Sequence, residues 1–284
     1  RDQMATVSKP LKWHGGKHYL ADRIISLIPP HTHYVEPYAG GLSVLFAKPA
    51  ELIEGHSEVV NDLNGNLVNF WDVLSRSESF GELVRICEAT PFSEAVWDSA
   101  QEMEACKAVR TTRDVKRAWA FFVKYRQSRQ GLGKDFATLS RRRTRRGMNE
   151  QVSSWLSAVE GLPEAHERLK RVVVLNRDAL AVIGQQDGPD TFFYLDPPYL
   201  HDTRVTTSDY EFEMGESDHS ELLELLCHIE GKFILSGYPS GIYDEWERAG
   251  HWQRVDIEID NKASSKKTKQ KKIECLWMNF TPQD

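Results

Sequence analysis

Five strand-favouring residues, Thr191-Phe192-Phe193-Tyr194-Leu195, run straight into Asp196-Pro197-Pro198-Tyr199. The first five have the composition of a buried β-strand. Two consecutive prolines cannot continue a central strand, because neither has an amide hydrogen to donate to a ladder. The strand must therefore end at Asp196. A carboxylate, a stiff loop with carbonyl oxygens on offer and an aromatic face are gathered at the carboxyl end of a strand, where open α/β sheets place their ligands. That combination suits a flat ring bearing an amine. Taken alone it would also serve as an ordinary strand exit, since Asp-Pro is a common turn starter. The remainder of the chain has to discriminate.

On both sides of this strand the pattern alternates between strand and helix. Tyr19 to Ile28 reads as a short amphipathic helix, with Leu20, Ile24, Leu27 and Ile28 at helical spacing. A strand over Thr32 to Glu36 follows, then the turn Pro37-Tyr38-Ala39-Gly40-Gly41 and a helix from about Ser43. Ser57 to Asp62 is a second strand, leading to a helix over Leu63 to Leu74. Strand-turn-helix repeated twice opens a nucleotide-binding α/β sheet. The alternation resumes with a strand over Val172 to Leu175, a helix over Ala179 to Gly184 and the strand Thr191 to Leu195. A helix near Asp218 to Ile229 opens on an Asp-x-x-Glu capping pattern, and a strand over Phe233 to Ser236 follows. Arg254 to Ile259 and Ile273 to Phe280 are β-like, around the lysine-rich Lys266 to Lys272.

Residues 75–170 differ. They give helical patterns, including Val115 to Tyr125 and Ser153 to Val159, one irregular basic loop from Gly131 to Phe136, and no convincing buried strand. The expected organisation is an α/β domain over 1–74 and 171–284, split by a mainly helical insertion over 75–170. The chain has 284 residues, 40% of them hydrophobic and 27% charged, enough for a sizeable core. No apolar run approaches the roughly 18 residues of a membrane span, and no charged-then-apolar leader opens the chain, so a cytoplasmic protein with no membrane partner is expected.

Cys87, Cys106, Cys227 and Cys275 are scattered, which suggests neither a disulfide framework nor a cysteine metal site. His31 and His33 lack further ligands at a regular spacing, so no metal is expected there. Charge is unevenly spread. Lys107 to Arg146 holds 14 Lys and Arg against Asp114 and Asp135, a local +12 that leaves −18 elsewhere in a chain of net −6. A basic segment in an acidic body points to a phosphate-binding surface.

A helix start after a glycine turn presents backbone amides to a carboxylate or phosphate. Glu36-Pro37-Tyr38-Ala39-Gly40-Gly41 lacks the G-x-G-x-x-G spacing, which disfavours a nicotinamide cofactor. Asp62, 26 residues past Glu36, sits where an acid accepts hydrogen bonds from both ribose hydroxyls, although Asp is also a favoured helix cap. A nucleoside with a small anionic tail satisfies both ends, and S-adenosylmethionine is such a molecule.

Lys12-Trp13-His14-Gly15-Gly16-Lys17, Val35-Glu36-Pro37-Tyr38-Ala39-Gly40-Gly41, Asn61-Asp62 and Asp196-Pro197-Pro198-Tyr199 stand in one order along the chain. In that order they resemble the Dam-type (D12 class, alpha group) DNA adenine-N6 methyltransferases. The resemblance runs from about Lys12 to Phe280. It implies a Rossmann-like, seven-stranded methyltransferase sheet, S-adenosylmethionine as methyl donor and duplex DNA as substrate, with the basic insertion as target-recognition domain. It makes Trp13 and Lys17 cofactor contacts, Trp13 by packing and Lys17 by reaching the methionine carboxylate. Glu36 to Gly41 become the cofactor turn and Asp62 the ribose ligand. Asp178 aligns with an acid near the cofactor's adenine, where it is equally suited to capping a helix, and Asp196 also touches the cofactor. The chain departs from the family pattern at Tyr38, where Phe is frequent, and at Leu42, which replaces a usual third glycine.

The chemistry follows from Asp196 to Tyr199. Adenine N6 is a poor nucleophile because its lone pair is delocalised. Hydrogen bonds from the amino group to the Asp196 carboxylate and the Pro197 carbonyl favour a pyramidal nitrogen and stabilise the developing positive charge. Pro198 stiffens the loop and Tyr199 offers a stacking face. The paired base must be flipped out of the duplex, and Leu200 to Gly215 is long enough to fold over it. Lys124, Arg126, Gln127, Arg129, Gln130, Lys134, Arg141, Arg142, Arg143, Arg145 and Arg146 are the candidate DNA contacts, the cations for phosphate or guanine and the glutamines for adenine. An N4-cytosine methyltransferase would need the same amine-cradling loop, and an RNA adenine methyltransferase nearly the same site. A binding protein that kept the fold would be expected to lose the acid, the prolines or the aromatic. Motif order and Asp196 favour DNA adenine, and a monomer is compatible with that role.

Overall fold

The computed structural model describes residues 7–13, 19–105, 113–137, 141–199, 213–259 and 272–282. Lys17, Cys106, the stretch 200–212 and the lysine-rich 266–271, all singled out above, lie outside them. In chain order the elements begin with α1 (Ala21–Ser26), β1 (His33–Glu36), α2 (Ser43–Ala47), β2 (Ser57–Asn61) and α3 (Gly65–Ser75). The helices α4 (Ser77–Glu88), α5 (Glu94–Ala105) and α6 (Val115–Arg126) come next, then the short strands β3 (Thr144–Arg145) and β4 (Met148–Asn149). After α7 (Glu150–Glu160) and α8 (Leu162–Leu169), the chain forms β5 (Val172–Leu175), α9 (Ala179–Gln186) and β6 (Thr191–Leu195). It finishes with α10 (Glu216–Leu226), β7 (Lys232–Gly237), α11 (Gly241–Gly250), β8 (Gln253–Ile259) and β9 (Lys272–Met278). Among the described residues no helix is long and apolar enough to cross a membrane.

Seven strands make one sheet in the order β5-β2-β1-β6-β7-β9-β8. β6 lies parallel to β1, with Tyr34 opposite Phe192, and parallel to β7, with Phe193 opposite Phe233. All five β6 residues are buried, as a near-continuous apolar run requires of a central parallel strand. β9 runs antiparallel to both β7 and β8. Strand order reverses at β1, with β2 on one side and β6 on the other, so the carboxyl ends of β1 and β6 mark the topological switch point where such sheets bind ligands.

Contacts group the chain into two compact units, one of Arg1–Ile25, Gly40–Glu58 and Asn64–Asn176, the other of Ser26–Ala39, Val59–Leu63 and Arg177–Asp284. The first is mainly helical. Its core is built by α3, which buries Leu67, Phe70, Trp71, Val73 and Leu74, and by α6, which buries Ala118, Ala120, Phe121, Phe122 and Val123. Phe70 stacks on Phe122 at 5.6 Å, and Phe122 meets Trp155 at 5.3 Å. A buried ion cluster fastens β2 to α8: Glu58 accepts from Lys48 at 2.7 Å and from both Arg168 terminal nitrogens at 2.6 Å. Burial works against the Glu58 charge, yet the hydrogen bonds and charges of Arg168 and Lys48 outweigh it and hold the carboxyl below its usual range.

The second unit holds β1, β6, β7, β8 and β9. The two units adjust one reading from sequence and add two elements to it. α10 begins at Glu216 rather than Asp218, because Asp218 is the third helical residue and its carboxylate reaches back to accept from Gly215 N–H at 2.7 Å. α11 fills a stretch the sequence reading left unassigned: Ser240 caps it, accepting from Tyr243 N–H, and Tyr243 is its buried anchor. Residues 75–170 contain the β3–β4 hairpin, two residues per strand, too short to leave a periodic signal.

Candidate active site

In the sheet unit, Asn61 organises the loops at the switch point. It is buried; its backbone carbonyl accepts from Ala39 N–H at 2.8 Å and its side-chain amide donates to the carbonyls of Pro37 and Arg177, both at 3.0 Å. Its side-chain oxygen accepts from Arg177 N–H at 2.9 Å. One side chain thus fixes the turn after β1 and the approach to α9. Asp62 follows directly. It is not a helix cap, because Asn64 caps α3 by accepting from the amides of Asn66 and Leu67. Asp178 is one: its carboxylate caps α9, accepting from Ala181 N–H at 2.9 Å.

Tyr38 reports on the surroundings. Its phenol is pushed well above the ordinary value by burial first, then by the charges of Asp178, Asp218 and Asp62. The charges of these three acids therefore all act on the Tyr38 phenol. Negative charge near this turn suits the hydroxyl and amine donors of the nucleoside portion of S-adenosylmethionine better than it suits an anion.

Asp196 lies half-buried where β6 ends, followed by buried Pro197 and half-buried Pro198. Tyr199 is 8% exposed. Its ring tilts against Tyr238 at 4.5 Å, and its hydroxyl donates to Glu274 Oε1 at 2.5 Å while standing 3.5 Å from Asp196 Oδ1. Beneath, Tyr34 donates to Glu36 Oε1 at 2.6 Å, and the Tyr194 and Ser236 hydroxyls meet at 3.2 Å. Burial, then the Asp196 charge, push the Tyr194 and Tyr199 phenols far up, so both remain neutral. Glu36, one of the cofactor candidates, is buried and engaged by Tyr34. Glu274 and Tyr238 were missed by sequence reasoning. The one available signal was an acid inside the apolar run Ile273-Glu274-Cys275-Leu276-Trp277-Met278.

In the helical unit, Trp13 is held against α6, 5.9 Å from the Phe121 ring and 5.0 Å from Tyr125. The glycines of the turn make room for it. A Cβ on Gly41 would stand 2.7 Å from Trp13 Cβ, and one on Gly40 would stand 3.0 Å from its indole nitrogen. Gly40 also has φ +48° and its carbonyl accepts from the Trp71 indole at 3.1 Å. Close packing by an indole, rather than only the approach of a ligand, thus demands glycine here. Leu42 adopts φ 54°, the left-handed region the family's third glycine would occupy without strain.

The candidate DNA contacts divide. Gln127 is fully buried, its amide donating to Pro91 O and accepting from Ser93 N–H, so it is not displayed to a base edge. Arg126 is turned inward, donating to the Lys9 and Pro10 carbonyls; burial lowers its pKa to about 10. Lys9, through burial and the nearby Arg126 charge, drops to about 8. Lys124 pairs with Glu104, and Arg146 makes two 3.1 Å bonds to Glu160. Arg143 lies 3.8 Å from Glu150. Arg129, Gln130, Lys134, Arg141, Arg142 and Arg145 are exposed. His31 hydrogen-bonds Pro29 O and His33 bonds Gln186. Among the described residues no group of three His, Cys, Asp or Glu is placed to hold a metal ion.

The family model described as D12 class N6 adenine-specific DNA methyltransferase matches residues 13–269 of the chain. No curated protein matches it.

Proposed function

The chain belongs to the D12 class N6 adenine-specific DNA methyltransferases, S-adenosylmethionine-dependent enzymes acting on DNA, and from that premise we propose that Asp196 and the Pro197 carbonyl are the acceptors that hold adenine N6 during methyl transfer. The observation that carries this is the position of Asp196: a carboxylate at the carboxyl end of the central strand β6, beside the switch point, followed by two prolines. The cofactor supplies a methyl group already activated on a sulfonium, so that as the N6–methyl bond forms the sulfur–methyl bond breaks, S-adenosylhomocysteine leaves as a neutral thioether and the alkylated nitrogen gives up one proton. The protein's part is to orient and polarise the amine. Two fixed acceptors draw the N6 hydrogens to one side, turn the nitrogen lone pair outward and meet the positive charge as it develops. Prolines keep those acceptors from relaxing, so little reorganisation accompanies the reaction.

Asp62 binds the ribose hydroxyls in this reading. Asp178, with one oxygen given to the α9 cap, lines the adenine side. Trp13 packs on the cofactor, and Lys17 meets its carboxylate. The adenine reaches Asp196 flipped out of the duplex, and Tyr199, tethered by Glu274 and Tyr238, is the flat wall on which it stacks. The exposed arginines of the β3–β4 hairpin region and Arg129 bind phosphates, while Gln130 is left to read base edges. A cytoplasmic location is part of the same reading, being compatible with a DNA substrate.

Asp196→Ala is the test. Methyl transfer from labelled S-adenosylmethionine to DNA is expected to fall by roughly a hundred- to a thousandfold or more, the scale of losing one preorganised group, while DNA binding survives. Near-normal turnover by this variant would sink the assignment.

A further inference from the structure

Glu274 is a buried acid for which the chemistry above has no use. It sits on β9 with no exposed surface. The ladder between β7 and β9 sets Gly237 opposite Cys275, which brings Tyr238 abreast of Glu274. Tyr199 touches both members of this pair: ring on Tyr238 and hydroxyl on Glu274. A phenol carries a single proton, and two carboxylates stand within reach of it. At 2.5 Å Glu274 holds that proton; at 3.5 Å Asp196 is at the outer limit of a hydrogen bond.

The competition matters because a carboxylate that accepts a phenolic O–H has less electron density to offer an amine. We propose that Glu274 is a positioning residue for methyl transfer: it captures the Tyr199 hydroxyl, keeps that donor off Asp196, and fixes the Tyr199 ring in the orientation the base meets. This rests on the reading of Asp196 as the acceptor of adenine N6. Replacing Glu274 by glutamine keeps the shape but removes the charge, and a neutral acceptor is roughly half as strong as an ionised one. Asp196 then becomes the better acceptor, and the hydroxyl turns to it at the expense of the substrate.

Four full-length proteins test the idea: the parent, Glu274→Gln, Tyr199→Phe and the double variant. Each is assayed for kcat, for KM toward DNA and S-adenosylmethionine, and for Tm. Glu274→Gln is expected to lower kcat at least about tenfold, equivalent to roughly 1.4 kcal/mol, with both KM values nearly unchanged. Adding Tyr199→Phe removes the misdirected hydroxyl and is expected to restore most of the lost kcat. A purely structural Glu274 would lower Tm without that rescue, and equal losses from Glu274→Gln with and without the Tyr199→Phe change would overturn the proposal. An unaltered kcat would do the same. If Glu274→Gln shows no cooperative thermal transition, Glu274→Asp, which withdraws the carboxylate from the Tyr199 hydroxyl, takes its place in the cycle: a kcat loss relieved by adding Tyr199→Phe supports the proposal, and a loss that Tyr199→Phe does not relieve overturns it. Asp196→Ala separates the two readings. Near-normal turnover there removes the parent assignment, whereas an inactive Asp196→Ala beside additive Glu274 and Tyr199 effects removes only the role of Glu274.

Discussion

Asp62 and Asp178 are the same residue type in the same kind of place, just after a strand, and their neighbours give them different work. Asp178 is spent on the α9 cap, while the capping duty near Asp62 falls to Asn64. Asp62→Ala is therefore expected to weaken S-adenosylmethionine binding by about ten- to a hundredfold, the worth of roughly 1.5–3 kcal/mol in hydrogen bonds to a charged group. Asp178→Ala should cost about 1 kcal/mol of stability, as lost caps do, besides its effect on the adenine side. Calorimetric titration of Asp62→Ala and thermal melts of Asp178→Ala check these outcomes, and unchanged affinity in the first or unchanged Tm in the second would contradict the division. Local covalent chemistry made Asp196 legible from sequence: proline has no amide hydrogen, so the strand had to stop there. Glu274 was not legible, because its meaning depends on a tyrosine 75 positions earlier in the chain. Gln127 misled for the opposite reason. Its composition matched a base-reading residue, yet burial committed both ends of its amide to Pro91 and Ser93.

At the scale of elements, the β3–β4 hairpin is the part of the basic segment whose form matches its charge. Arg146 and Gly147 both have positive φ, 55° and 73°, the two-residue turn that follows the natural twist of paired strands. Nearby Arg141, Arg142 and Arg145 are exposed, and none makes an ion pair among the described residues, whereas Arg146 is tied to Glu160. Replacing these three by alanine should weaken DNA binding and flatten its salt dependence by about one to three units of slope, since each lost phosphate contact removes about 0.9. An unchanged slope in binding measured across salt concentrations would place the hairpin away from the phosphates. From sequence this segment was readable as basic but not as a hairpin, because two residues per strand show no alternation and Arg-Gly is a weak turn signal. The helices were easier. α3 and α6 bury one stripe each, and that stripe survives in the spacing of their apolar residues.

For the whole molecule, the alternation of strand and helix gave the α/β sheet, but the placement of β9 between β7 and β8 depends on pairing that no local pattern records. Each compact unit is assembled from three separated stretches. The piece Arg177–Asp284 contains β6 through β9 but lacks β1, the parallel neighbour of β6. Expressed alone, it is expected to show no cooperative thermal unfolding; a sharp transition would contradict this. The same interleaving has a meaning for biosynthesis. His33 pairs with Thr191, 158 positions later (33 to 191), so at about 5–20 residues per second β1 waits roughly 8–30 s for its partner to be translated. The helical unit is complete at Asn176, before β6 has been made. The ribosome thus delivers the helices first and the central strand β6 with its Asp196 exit afterwards, and the strand bearing Glu274 emerges later than the tyrosine whose hydroxyl it holds.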